Sequence, residues 1–317
     1  MKRNYVFGPV MSRRLGVSLG VDLVPPKTCP LDCIYCEARA TTNLTLARRE
    51  YVPVDEVIAE LDAALRNAPL PDYITFSGAG EPTLNSRIGD VVAFVKTRYP
   101  QAKLCLLTNG LLLGDAALRR EIADVDLAIP SLDASCEEEY RKINRPIAES
   151  TLAQLVTDLA GFAREFTHRL VLELFIVPGV NDSPASIARF AELIRRIRPQ
   201  AVQLNTLDRP GVVPGIRVAP PETLIAFASA LAPICPVETI RPLAAGKRHS
   251  ISTSLEESIL DIVRHRRLTP TGLALASGIP EPELAPLLER LKQRNWLAVG
   301  PDGCFSIVET PRRRKDR

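Results

Sequence analysis

Apolar positions along the chain recur with two periods, and the alternation between them sets the expected architecture. Val17 to Val24 alternates and stops at Pro25-Pro26, a first strand that runs into a loop. From Val54, apolar side chains return at Val57, Ile58, Leu61 and Leu65, the spacing of one helical face. Tyr73 to Phe76 reads as a short buried strand, and Ile88, Val91, Val92 and Val95 as the next helical face. Lys103 to Leu107 is a strand ending in the turn signal Thr108-Asn109-Gly110, followed by a helix around Asp115 to Ala123. Leu127 to Leu132 is a fourth strand. Ser150 is placed as the N-cap of a helix buried through Leu152, Leu155, Val156 and Leu159. Leu170 to Val177 is a fifth strand, stopped by Pro178-Gly179. Ser183 caps and Pro184 starts the following helix, with Ile187, Phe190, Ile194 and Ile197 facing inward. Ala201 to Leu204 and a helix from Thr223 to Leu231 complete the series. Six strands alternating with helices predict a parallel sheet with right-handed crossovers. A closed eight-fold barrel typically takes ~250 residues. Residues 1–240 offer six units, so the expected class is α/β, a partial (β/α)6 barrel.

The pattern changes beyond residue 240. Arg241 to Ser250 mixes Pro, Gly and charge, and residues 241–251 read as a linker. Ser254-Leu255-Glu256-Glu257 is a capping box opening a helix with Leu255, Ile259, Ile262 and Val263 inward. Thr269-Pro270 starts a short helix that stops at Gly278. Leu284, Leu287, Leu288 and Leu291 mark a third, whose start Pro286 unsettles. Trp296 to Val299 and Cys304 to Val308, joined by Gly300-Pro301-Asp302-Gly303, read as a hairpin. Three helices and a hairpin over residues 252–310 form a winged-helix pattern, with a basic tail at 311–317 expected to be disordered.

Composition narrows the function classes. The 317 residues suit one large and one small domain, and 46% apolar residues supply a sizeable core. A net charge of +3, from 40 basic and 37 acidic residues, gives no general case for nucleic acid; any basic patch must be local. No apolar run approaches the ~18 residues of a membrane span, and the N-terminus has no long apolar stretch before a cleavage site. A cytoplasmic location with no membrane partner is expected. Seven cysteines, an odd number with three in a tight triad, argue for a reducing compartment. Cys105 lies in an apolar run and is assigned to the core; Cys136, Cys235 and Cys304 are scattered.

The triad carries the chemistry. Lys27 to Cys36 reads Lys-Thr-Cys-Pro-Leu-Asp-Cys-Ile-Tyr-Cys. Cys29, Cys33 and Cys36 can fold onto one corner of a cubane iron–sulfur cluster, for which thiolates are the usual ligands. Three ligands leave one iron open, as an open position on zinc does in catalytic sites. Structural zinc is the alternative reading, but the next cysteine after the triad is Cys105 and the first histidine is His168. Ser77-Gly78-Ala79-Gly80-Glu81-Pro82-Thr83 follows the second strand; its glycines let backbone approach a ligand, or make a tight strand-to-helix turn. None of the three histidines has a metal-ligand spacing.

Cys-x3-Cys-x2-Cys with Tyr35 before the last cysteine resembles the signature of the radical SAM enzymes. Gly8-Pro9-Val10, Ser12-Arg13-Arg14-Leu15-Gly16 and Ser18-Leu19-Gly20 are similar to the wyosine-synthase-like subgroup of Fe–S oxidoreductases, and the resemblance covers residues 6 to 240. It implies a TIM-type partial barrel and a [4Fe–4S] cluster on Cys29, Cys33 and Cys36. It also implies S-adenosylmethionine, cleaved by one electron to a 5′-deoxyadenosyl radical that abstracts hydrogen from a substrate. It places Tyr35, Gly78, Gly80 and Glu81 at the cofactor, with Ala79 where the family carries a first glycine, and Ser131 and Asp133 at its ribose. Arg145 is a candidate partner for a carboxylate, Asn181 and Asn205 for the substrate pocket, and Arg13 and Arg14 for a phosphate or a sheet edge. The implied partners are an electron donor such as flavodoxin or ferredoxin and a substrate that is a tRNA nucleoside, a peptide or a small metabolite. Wyosine synthases carry a second cysteine triad that this chain lacks. A non-catalytic, metal-containing winged-helix regulator is the alternative of a different class.

Overall fold

The computed structural model describes residues 4–66, 68–207, 212–240, 256, 259–260, 262–263, 268–277 and 279–308. The predicted linker, Ser254, Leu255 and Glu257 of the capping box, and the basic tail lie outside those residues. An eight-stranded sheet organises the rest: β1 (Val6–Ser12), β2 (Gly16–Val21), β5 (Tyr73–Phe76), β6 (Leu104–Thr108), β7 (Leu127–Pro130), β8 (Arg169–Ile176), β9 (Ala201–Thr206) and β10 (Val237–Thr239), in that spatial order. The intervening labels belong to a small pair, β3 (Thr28–Cys29) and β4 (Asn43–Leu44). β2 to β10 pair in parallel, and β1 joins the edge antiparallel to β2.

The six predicted strands are all present. Two strands of this sheet were not expected, nor was the small β3–β4 pair. β1 is interrupted by Gly8-Pro9, where its register with β2 shifts, so its apolar alternation is broken. β10 is only three residues long. The crossovers are α1 (Val54–Arg66), α2 (Ile88–Arg98), α3 (Ala116–Glu121), α4 (Glu137–Ile143), α5 (Leu152–Glu165), α6 (Pro184–Ile197) and α7 (Pro221–Leu231). Of these α4 was missed, although three glutamates in its first turn suit a helix N-terminus. The cap of α5 is Thr151, whose hydroxyl accepts from Gln154 N at 3.2 Å. The expected cap, Ser150, instead shares a hydrogen bond with the Tyr140 hydroxyl at 2.7 Å. Ser183 and Pro184 start α6 as expected.

Period two sorts each strand onto two faces. Leu19, Val21, Ile74, Phe76, Leu104, Leu106, Leu170, Leu172, Leu174, Val202 and Leu204 enter the main core with the crossover helices. The alternate residues face the other way. Cys105, Leu127, Ile129, Val171 and Ala201, with Leu15, form a second apolar layer there. Ser18, Thr75, Glu173, Gln203 and Asn205 continue the same strand faces with polar groups. Arg14, in the β1–β2 turn, pairs with Glu173 of β8 and donates to Gln203 of β9 at 3.3 Å. Strands far apart in the sheet order are therefore joined by one side chain, which requires the sheet to roll. It stays an open, parallel-dominated sheet with β1 and β10 as its edges.

The described C-terminal part contains α8 (Pro270–Ser277), α9 (Glu281–Gln293) and an antiparallel ribbon of β11 (Leu297–Val299) and β12 (Phe305–Ile307). Leu273, Leu284, Leu287, Leu288, Leu291, Leu297 and Phe305 form its own apolar cluster. Pro286 sits inside α9 without ending it. Val10 of β1 joins the same cluster, so this unit packs against the sheet's outermost strand. Among the described residues, no helix is long and apolar enough to cross a membrane.

Candidate active site

The cysteine loop leaves the C-terminal end of β2 and is pinned on two sides by backbone hydrogen bonds. Lys27 N donates to Ala79 O at 2.6 Å and Glu81 N to Thr28 O at 3.0 Å, which dock it on the turn after β5. Asp32 N donates to Asn144 O at 3.0 Å, Ile34 N to Ile143 O at 2.9 Å and Ile147 N to Pro30 O at 2.9 Å, which dock it on the segment after α4. A Cβ at Gly80 would lie 2.4 Å from Thr28 O, so the first contact needs glycine there. Gly78 adopts φ +146°, with Asp22 packed where a Cβ would stand.

Each sulfur of the triad meets one nitrogen donor. Lys27 Nζ lies 3.1 Å from Cys36 Sγ, Asn144 Nδ2 lies 3.4 Å from Cys33 Sγ, and Asn109 Nδ2 lies 3.6 Å from Cys29 Sγ. Burial pushes the Cys29 thiol up to about 12 and Cys33 well above its ordinary value, so a cation must displace protons to bind. Among the described residues, no group of three or more His, Cys, Asp or Glu is placed to hold a single metal ion. Three thiols, each with a nitrogen donor, fit a cubane's corners, where hydrogen bonds to sulfur tune the cluster.

Two buried carboxylates stand behind the triad. Glu81 Oε1 accepts from Thr83 N (3.1 Å), Thr83 Oγ1 (2.6 Å) and Thr108 Oγ1 (2.7 Å), and Oε2 from Asn109 N (2.8 Å). Glu81 thus fixes the backbone of the residue whose amide reaches Cys29. Asp133 Oδ2 accepts from Asn144 Nδ2 at 2.8 Å and from the Tyr35 hydroxyl at 2.5 Å, and Oδ1 from Phe175 N at 3.1 Å. Burial raises the pKa of both carboxyls, against the opposing pull of these hydrogen bonds. Tyr35 stacks on Phe175 with ring centroids 3.8 Å apart, fixing the chain one residue before Cys36.

A cavity of about 320 Å³ opens beside Cys36, walled by Tyr35, Gly78, Arg13, Arg14, Glu173 and Asn205 among others. Of the sequence candidates, Asn205 and the two arginines therefore reach this space. Asn181 does not: it is fully buried, donating to Asp133 O and Phe175 O at 2.8 Å and accepting from Val177 N. Arg145 is half exposed and lies 3.9 Å from Asp32. Ser131 is half-buried at the end of β7; its N–H donates to Thr108 O at 3.0 Å, and its hydroxyl makes no hydrogen bond among the described residues. Sequence reasoning missed Lys27, Asn109, Asn144 and Glu173. Glu173 alone left a signal, as the one acid inside an apolar strand.

A family model described as the radical SAM superfamily matches residues 23–191. A protein named GTPase Obg from Brachyspira hyodysenteriae is 32% identical over 92% of this chain, which spans 43% of that protein's length. A UPF0026 protein of Methanocaldococcus jannaschii is 30% identical over 81% of this chain and 80% of its own. A GTP 3′,8-cyclase of Heliobacterium modesticaldum is 25% identical over 83% of this chain and 86% of its own. A radical SAM methyltransferase from Sphaerobacter thermophilus shares the fold with a TM-score of 0.57, at 21% identity, over 70% of this chain and 65% of that structure.

Proposed function

The chain belongs to the radical SAM superfamily, and from that premise we propose that it abstracts hydrogen from a nucleoside seated in the cavity beside Cys36. Membership makes it an enzyme that uses a [4Fe–4S] cluster and S-adenosylmethionine, in place of the non-catalytic regulator. The bound pair supplies one-electron chemistry, reductive cleavage of a sulfonium followed by hydrogen abstraction. Cys29, Cys33 and Cys36 hold the cluster. Gly78 offers backbone to the cofactor, and Gly80 holds the turn against the cysteine loop. Glu81 Oε2, which carries one of the carboxylate's four hydrogen bonds, is the oxygen with capacity left for an ammonium donor. With both Asp133 oxygens engaged, Ser131 takes the ribose contact and Asp133 positions Tyr35 and Asn144.

The observation that carries the reading is the match of each triad sulfur to its own nitrogen donor, beside an open cavity. For the substrate, the mixed wall of Arg13, Glu173 and Asn205 supports a base edge with both donors and acceptors. The likeness to a GTP 3′,8-cyclase and the resemblance to wyosine synthases favour a guanosine, presented in single-stranded RNA. Anaerobic reconstitution tests both parts. About four iron atoms per chain are expected, with 5′-deoxyadenosine formed on reduction and stimulated by unmodified tRNA. Iron at one atom or less, or one zinc, sinks the cluster reading. Stimulation by peptides and not by RNA sinks the nucleoside.

A further inference from the structure

Lys27 is buried, adopts φ +59°, and is held in that left-handed conformation by three backbone hydrogen bonds. Its N–H donates to Ala79 O at 2.6 Å, and its carbonyl accepts from Thr42 N at 3.1 Å and Asn43 N at 3.0 Å. A non-glycine residue in this region is strained and persists only when its surroundings over-determine it. The same contacts aim the side chain inward, where Nζ lies 3.1 Å from Cys36 Sγ. Among the described residues no carboxylate pairs with this ammonium.

A buried charge without a counter-charge is costly, and a neutral thiol is a weak acceptor. The placement makes sense around an anionic sulfur. We infer that Lys27 is a positioning residue for the redox centre: its ammonium, fixed against Cys36, is the positive charge that favours electron uptake at the triad. The inference rests on the cluster reading above. The electron comes from an external one-electron donor; no bond forms or breaks at Lys27, and no proton moves. Among the described residues, the donors at the other two sulfurs are neutral amides, Asn109 at Cys29 and Asn144 at Cys33.

The test is the midpoint potential of the reconstituted protein without S-adenosylmethionine, followed by the EPR signal of the reduced cluster. Lys27→Met is expected to lower the reduced-to-oxidised ratio at a fixed potential at least tenfold, equal to about 59 mV for one electron. Lys27→Arg, which keeps the charge, is expected to stay within about threefold of the parent by the same measure. An unchanged potential in a fully loaded Lys27→Met protein overturns the inference. If Lys27→Met and Lys27→Gln lose iron while Lys27→Arg stays loaded, the charge retains the cluster rather than setting its potential, and the inference is overturned. Loss of iron in all three makes Lys27 a packing residue and overturns it. A parent that binds no cluster at all removes the underlying reading instead, and is seen before any variant is made.

Discussion

Glu81 is a hub before it is anything else. Two oxygens receive four donors from Thr83, Thr108 and Asn109. Glu81→Gln keeps the shape but turns one oxygen into a donor facing a donor. The expected cost is about 1–3 kcal/mol of stability, read as a lower urea midpoint, together with a smaller cofactor-induced change in the cluster's EPR signal. A variant that unfolds and titrates like the parent would leave Glu81 without either role. Glu139 is a further buried acid, with the opposite tendency. Burial pushes its carboxyl up, but donors from Ser186, Ser135 and Arg189 outweigh that and hold it below the ordinary range. A folded-state value below the unfolded one means stability that is present above the ordinary carboxylate pKa and lost as pH falls through the folded value. Glu139→Gln is therefore expected to cost about 1–3 kcal/mol at neutral pH. The gap to the parent should begin to narrow in acid melts below the ordinary carboxylate range, about pH 4, and close only below the lowered folded value; a gap constant with pH counts against the assignment.

Among the elements, the turn after β5 matters most for the site. Gly80→Ala drives a methyl into Thr28 O and the Val24 side chain. Overpacking of this kind costs about 1–3 kcal/mol, and here it separates the cysteine loop from the turn that docks it. Lower iron loading with the sheet still folded by circular dichroism is expected; full loading at the parent's melting temperature contradicts it. This turn was legible in sequence because Gly-Ala-Gly-Glu sits after an apolar run. So were the strands that alternate cleanly. β1 was not, since Gly8-Pro9 breaks its period. Asn109 and Asn144 were not either: a donor to sulfur from 80 or 111 residues away leaves no local pattern. Lys27 stands only 9 residues from Cys36, but nothing in the loop's sequence shows that its side chain turns inward. Asp133 was found in sequence, but its partners, Tyr35, Asn144 and Phe175, come from three separate segments that only the fold brings together.

At the scale of the molecule, Val10 is the join. It belongs to the sheet's edge strand by hydrogen bonding and to the C-terminal cluster by packing. Val10→Asp buries a carboxylate among leucines, a change that typically costs several kcal/mol. The C-terminal unit is expected to melt as a separate, earlier transition in calorimetry, while cofactor cleavage by the barrel persists. A single transition at the parent's temperature would show that the contact contributes little. The α/β class and the partial barrel were readable from six alternating units, whereas the tie that holds the sheet's roll was not. It depends on Arg14 reaching Glu173, a pairing between the first turn and the sixth strand of the sheet order.

The donors at the triad also set a clock. Asn144 stands 111 residues beyond Cys33, and the 143–147 segment closes one side of the cysteine loop. At about 5–20 residues per second, a ribosome takes roughly 6–20 s to make that stretch. For that interval the three thiols have emerged but lack the far wall of their cradle. Cluster delivery therefore belongs after residue 147 has left the exit tunnel, and a nascent chain stalled before α4 should present three alkylatable cysteines and retain no iron.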